Sequence, residues 1–179
     1  MDFASITTPT TTDLLISFMD IQGFLRIAQA QRDLIKLFGL LDRWAAIIVE
    51  EIEEANGRVV KFIGDACLIV FDAGEAEQGI LAIRSAKQKA EKFLADQGFS
   101  HKMTATAHVG KAVVGLFGAG HCRSFDVFGD SVAASAALER GEKRGRLVLS
   151  PQAFGTLTPP SRKLFHKYTP PVVYIAEEI

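Results

Sequence analysis

Two residues, Gly64-Asp65, stand between two short runs rich in β-branched and aromatic side chains, Val59-Val60-Lys61-Phe62-Ile63 and Ala66 to Phe71. A two-residue connection with glycine first fits a type II′ turn, whose twist matches that of the strands it joins. The chain is therefore expected to build an antiparallel sheet around this hairpin, which excludes all-helical and purely parallel folds. Leu14 to Met19 is a compact apolar run of strand length, and it ends in Asp20.

Between these strands, Arg32 to Glu54 carries two adjacent helical stripes, Leu34, Phe38, Leu41, Ala45, Ile48, Ile52 and Leu37, Leu40, Trp44, Ile47. A surface helix normally carries one, so this helix is expected to be covered on two sides, with Asn56-Gly57 as its stop. Glu75 to Ala95 reads as a second helix. His101 to Val109 and Ala112 to Phe117 read as strands joined at Gly110-Lys111, a second hairpin. Ser131 to Arg140 is an alanine-rich helix with Asp130 as the expected N-cap. Arg146 to Leu149 is a short strand, Pro151 to Leu157 a helical turn, and Val172 to Ile175 a last strand. The polar run Thr7 to Thr12 suggests a mobile arm over residues 1–12, followed by one domain over residues 13–179.

This order predicts an α+β fold with helices on one face of a mostly antiparallel sheet, and the ferredoxin-like βαββαβ core is the simplest match. A chain of 179 residues, 48% apolar and 23% charged, builds one core without staples and is not a disordered chain. Twenty basic against 21 acidic residues give a net charge of −1, so no basic footprint for nucleic acid is present. Cys67 and Cys122 have neither metal-site nor disulfide-framework spacing, and the four histidines are scattered. No apolar run approaches the roughly 20 residues of a membrane helix, and the N-terminus lacks a signal-peptide pattern. These features suggest a soluble protein of the cytoplasm.

Asp20 closes one strand and Asp65 sits in the turn between the next two. If the first strand lies beside the hairpin, both carboxylates reach one sheet edge, where hard oxygen anions suit Mg²⁺ or a metal pair. The alternative is a strand-end residue and a turn former. Ile21-Gln22-Gly23-Phe24 follows Asp20 into a helix. A glycine there frees backbone N–H groups for phosphate oxygens, although such turns are common.

Four segments occur in order: Phe18-Met19-Asp20-Ile21-Gln22-Gly23-Phe24, Val60-Lys61-Phe62-Ile63-Gly64-Asp65-Ala66, His108-Val109-Gly110-Lys111-Ala112-Val113-Val114-Gly115 and Phe125-Asp126-Val127-Phe128-Gly129-Asp130-Ser131-Val132. Together they resemble the class III adenylate/guanylate cyclase catalytic domain, from about Leu14 to Tyr174. The resemblance implies a nucleotide cyclase fold, with Asp20 and Asp65 holding two Mg²⁺ or Mn²⁺ ions that bridge a nucleoside triphosphate. Ile21, Gln22, Gly23 and Phe24 match the phosphate-cradling turn. Lys61 and Asp126 match the purine-selecting pair of adenylate-type enzymes, which favours ATP over GTP: an ammonium donates to adenine N1 and a carboxylate accepts from the 6-amino group. Left to themselves, Lys61 is an outward strand residue and Asp126 a loop residue. The resemblance also implies a head-to-tail homodimer with two composite sites.

Seven and eleven residues after Asp126, the family carries Asn to orient the ribose and Arg to stabilise phosphoryl charge. This chain has Ala133 and Ala137 there. By analogy with arginine fingers, such a loss costs about 10³- to 10⁵-fold in rate. Arg140 is a candidate substitute, Arg123 a candidate triphosphate contact, and Lys167 a candidate for the family's C-terminal phosphate-binding lysine, although the usual turn glycine is missing there. Two functional readings follow. One is an ATP-to-cyclic-AMP cyclase weakened at the two alanines. The other is a silent ATP-binding or regulatory homologue, or the partner in a heterodimer that draws the missing Asn and Arg from another chain. Cys67 is expected to face the core and His108 to be structural.

Overall fold

The computed structural model describes residues 2–138 and 145–177. The chain forms β1 (Thr10–Ile21), α1 (Phe24–Ala30), α2 (Leu34–Glu54), β2 (Arg58–Ile63), β3 (Ala66–Asp72), α3 (Ala76–Asp96), β4 (Met103–Phe117), β5 (Ser124–Phe128), α4 (Asp130–Ala137), β6 (Leu147–Leu149), α5 (Pro151–Gly155), α6 (Pro159–Arg162), β7 (Phe165–Tyr168) and β8 (Val173–Ala176). Its sheet runs β2-β3-β1-β4-β6-β8-β7, and β5 also pairs with β4. The first four strands with α2 and α3 give the expected βαββαβ core. Among the described residues, only the β4–β6 pair is parallel.

Alternation along β1 divides the interior in two. Leu15, Met19 and Ile21 enter a large core with Trp44, Ile48 and Ile52 of α2 and Ile80, Ile83 and Leu94 of α3. Leu14 and Ile16 point the other way, toward Leu68, Val70, Val114, Phe125 and Val127. That second face is not bare: α4 lies over it, with Val132 against this second cluster and Leu138 against Val148, Val173 and Ile175. Helices therefore cover both faces rather than one.

Several local expectations are corrected. Gly110-Lys111 is not a turn, because β4 continues through it and pairs Gly110 with Leu14 and Lys111 with Asp13. The glycine serves close approach instead: a Cβ at residue 110 would collide with the Ser131 hydroxyl of α4. The second hairpin is β4–β5, and it turns through residues 118–123. The supposed arm contributes Thr10, Thr11 and Thr12 to β1, opposite Val114, Val113 and Ala112, while Phe3 is buried with its ring edge on Phe125. Gly129, not Asp130, occupies the cap of α4, and Asp130 is the first helical residue, with no side-chain cap bond formed. The twin stripes of α2 are covered only in its second half. Leu34, Ile35 and Phe38 stay 74, 85 and 73% exposed. Asn56, at φ 62, and Gly57 end α2 as expected.

Candidate functional site

The β1–β3 pairing brings the two acidic residues together. Asp20 is opposite Ala66, the residue after Asp65, and the Ile21 N–H donates to the Asp65 carbonyl at 3.2 Å. Gly64 takes φ 64 at the first turn position, as a tight turn with glycine first requires. Met19 and Ile21 are committed to the large core, so Asp20 faces the opposite side, where it is only partly buried. Asp20 and Asp65 line one cleft of about 420 Å³ with Ile21, Gln22, Gly23, Phe24, Leu25 and Ala28.

The electrostatics of this cleft suit a cation. Partial burial is the main cause pushing the Asp65 carboxyl above its usual range. Its own backbone N–H opposes that, and the charge of Asp20 adds to it. Cys67, fully buried beside Met19 and near Asp20, is pushed up to about 12, chiefly by burial. Its side chain is buried in the large core, and among the described residues no group of three His, Cys, Asp or Glu side chains could hold a metal. What remains is a pair of hard carboxylates from adjoining strands, open to a cleft and mutually repelling. That donor set fits Mg²⁺ or Mn²⁺ when other oxygens come from a ligand or water.

Gln22 is the residue whose side chain the sequence reading overlooked. Its amide Nε2 donates to both Asp20 oxygens, at 3.1 and 3.2 Å, while its own N–H is held by the Lys102 carbonyl at 2.9 Å. Strand alternation offered the signal, since residues i and i+2 share a side. The following turn passes through Gly23, at φ 70, into α1.

Lys61 and Asp126 also meet, although β2 and β5 are not neighbours in the sheet. Lys61 Nζ lies 2.6 Å from Asp126 Oδ2, and the Val127 N–H donates to Asp126 Oδ1 at 2.8 Å. Asp126 is 8% exposed. Nearby, the Arg58 guanidinium lies 4.4 Å from the Phe125 ring centre. Ala133 and Ala137 are both exposed, one turn apart on the same side of α4. Arg123 is exposed just before β5. Lys167 is exposed on β7, at the sheet edge opposite β2, so within one chain it does not join the Asp20–Asp65 cleft. Arg140 lies outside the described residues.

His108 is a structural residue, as expected. Its Nδ1 is 3.0 Å from the Ser150 hydroxyl, which itself accepts from the Ala153 N–H and caps α5, and burial lowers the histidine's pKa.

Fold and cleft together define a nucleotide cyclase-type domain, and comparison with known proteins agrees. Residues 6–170 match the adenylate and guanylate cyclase catalytic domain, so the chain belongs to that family. An adenylate cyclase of Anabaena cylindrica is 28% identical over 137 residues, covering 72% of this chain and 27% of that protein. The chain spans about a quarter of the length of the curated relatives it matches. The adenylyl cyclase CyaB of P. aeruginosa superimposes with a TM-score of 0.79 at 16% identity, covering 96% of this chain and 97% of that one. The guanylate cyclase domain of RhGC from Catenaria anguillulae, solved with GTP, gives 0.79 at 16% identity, covering 94% and 100%. At such identities the likeness is one of fold. Among the described residues, no helix is long and apolar enough to cross a membrane.

Proposed function

We propose that this domain binds ATP with divalent metal and converts it, slowly, to cyclic AMP and pyrophosphate at the interface of a homodimer. The observation that carries the reading is the shared cleft of Asp20 and Asp65, two acids whose mutual repulsion a cation would relieve. Bound there, Mg²⁺ or Mn²⁺ supplies charge neutralisation on the phosphates and acidifies the ribose 3′-hydroxyl. The chain's own part is positioning. Gln22 fixes the Asp20 carboxylate by two hydrogen bonds; with the Ile21 and Gln22 N–H groups held by the Asp65 and Lys102 carbonyls, the Gly23–Phe24 end of the turn is assigned to the triphosphate. Lys61 and Asp126 supply the donor and acceptor that adenine requires and guanine does not match, which supports ATP over GTP. Arg123 and Lys167 are assigned to the triphosphate across the dimer. The uncovered apolar residues Leu34, Ile35 and Phe38 of α2 support a second chain packing against this one.

A second reading is favoured by Ala133 and Ala137, which present no donor and no charge on the exposed side of α4. On it, the domain binds metal-ATP without turnover, as a regulatory homologue or as one half of a heterodimer whose other chain supplies the missing groups. Incubation of the purified protein with Mn²⁺ and ATP, alongside GTP, separates the two. Cyclic AMP above a no-enzyme control supports the cyclase. Saturable, metal-dependent ATP binding with no product at high protein concentration supports the silent domain. Absence of metal binding overturns both.

A further inference from the structure

The β1–β4 ladder is interrupted close to Asp20. The paired residues run from Thr10↔Val114 to Ile16↔His108 and resume in the same register at Met19↔Ala105, with Ser17 and Phe18 making no ladder pair with β4 between them. Two hydroxyls fill the gap. The Phe18 N–H donates to Thr106 Oγ1 at 3.0 Å, Thr106 Oγ1 and Ser135 Oγ are 3.0 Å apart, and Ser135 Oγ donates to the Ile16 carbonyl at 2.8 Å. Ser17, Thr106 and Ser135 are each 0% exposed, so the arrangement is closed to bulk solvent.

Each hydroxyl has one proton, and that of Thr106 has its nearer acceptor in Ser135 at 3.0 Å, with the Phe18 carbonyl at 3.5 Å. Ser135 spends its proton on the Ile16 carbonyl, so Thr106 donates to Ser135 and accepts from Phe18. The chain runs Phe18 N–H to Thr106 O–H to Ser135 O–H to Ile16 C=O, every link in the same sense, so each bond polarises the next. Removing the Thr106 hydroxyl strands the buried Phe18 N–H, a large penalty for one atom, while removing that of Ser135 takes a second donor from the Ile16 carbonyl, which also pairs with His108, and leaves the Thr106 hydroxyl without its nearest acceptor.

The location gives this arrangement a function. Ser135 is on α4, between Ala133 and Ala137, and it faces inward while they face outward. Phe18 is two residues from Asp20, about 7 Å along the strand. We infer that Ser135 and Thr106 are positioning residues, a hydroxyl bolt that fixes the height and rotation of α4 against the strand carrying Asp20. This rests on the proposed reading for its functional consequence. On that reading, the composite sites of a head-to-tail homodimer have the α4 of one chain serve the site whose metal carboxylates belong to the other chain. The bolt therefore ties together the two halves of one protomer that work in different sites, and displacement at one site is passed to the other.

The test uses the whole chain labelled with ¹⁵N, comparing Thr106→Val, Thr106→Ser and Ser135→Ala. Thr106→Val keeps the shape and loses the hydroxyl, while Thr106→Ser keeps the hydroxyl. The expected result is that Thr106→Val and Ser135→Ala shift the amide resonances of Asp20 to Gln22 and of Ala133 to Ala137, and weaken Mn²⁺ binding several-fold in protein that is still folded. Thr106→Ser should leave both near those of the parent. Shifts confined to residues 16–18, or lowered stability with parental Asp20 and α4 resonances, overturn the bolt. If the parent shows no Mn²⁺-induced broadening at Asp20, the metal reading fails, and the resonance shifts still decide the bolt.

Discussion

The edge formed by β1 and the β2–β3 hairpin differs sharply from the outer side of α4. At the edge, the two carboxylates proposed to hold metal are both supported: Asp20 is fixed by Gln22, Asp65 is set in its turn, and the intervening backbone is pinned by the Ile21–Asp65 bond. Along α4, the two positions proposed to face the ribose and the transferring phosphoryl group, 133 and 137, carry exposed methyl groups. Binding and acceleration draw on different parts of a cyclase domain, so one can be intact while the other is stripped.

The comparison is broken most forcefully by refilling α4. Ala133→Asn with Ala137→Arg should raise cyclic AMP formation by about 10³-fold or more, since an arginine in that role is worth roughly 10³ to 10⁵ in related phosphoryl chemistry. Both sites are exposed, so the substitutions should not disturb the core. A rate that stays flat while ATP affinity holds would show that α4 is not what limits turnover. Next, Asp20→Asn should weaken Mn²⁺ binding, by calorimetry, beyond the roughly 10- to 100-fold typical of losing a mere supporting group. Parental affinity in that variant would remove Asp20 from the metal site.

Smaller effects sharpen the contrast by moving α4 without touching the carboxylates. Gly110→Ala forces a Cβ into Ser131 and should cost about 1–3 kcal/mol in urea unfolding, as overpacking does. Mn²⁺ affinity should fall less than in Asp20→Asn. The mildest lever is pH. Burial depresses the pKa of His108 in the fold, so between the folded and unfolded values the unfolded chain binds more protons. Its contribution is therefore present above the ordinary histidine range, near pH 6.5, and is lost as pH falls through that range. His108→Gln should flatten this part of the stability profile; an unchanged slope would assign the acid sensitivity to other groups.

Much of this was legible in the residues. The Gly64-Asp65 turn, the apolar run before Asp20, the stripes of α2 and the helical pattern of Glu75 to Ala95 are local signals, and they gave the core topology. The failures were tertiary. Gly110 looked like a turn because a glycine between apolar runs carries the same letter whether the chain bends or a helix presses on it. Thr10 to Thr12 looked like an arm because polar strand residues reveal their role only once a partner strand is known. For the site, spacing brought Asp20 and Asp65 to the same edge, but the proximity of Lys61 to Asp126 depends on two strands that are not sheet neighbours. No count along the sequence could supply it. The inward hydroxyl of Ser135 was hidden among alanines for the same reason.

The 2.6 Å contact between Lys61 and Asp126 has a consequence for recognition. Each is already the other's counter-ion, so on the proposed reading an arriving base has to part a joined couple before it can use either member. A base that offers the right acceptor and donor replaces what it breaks; one with the opposite pattern leaves an ammonium and a carboxylate stranded. On that account, selectivity resides as much in the closed resting couple as in any contact with the guest.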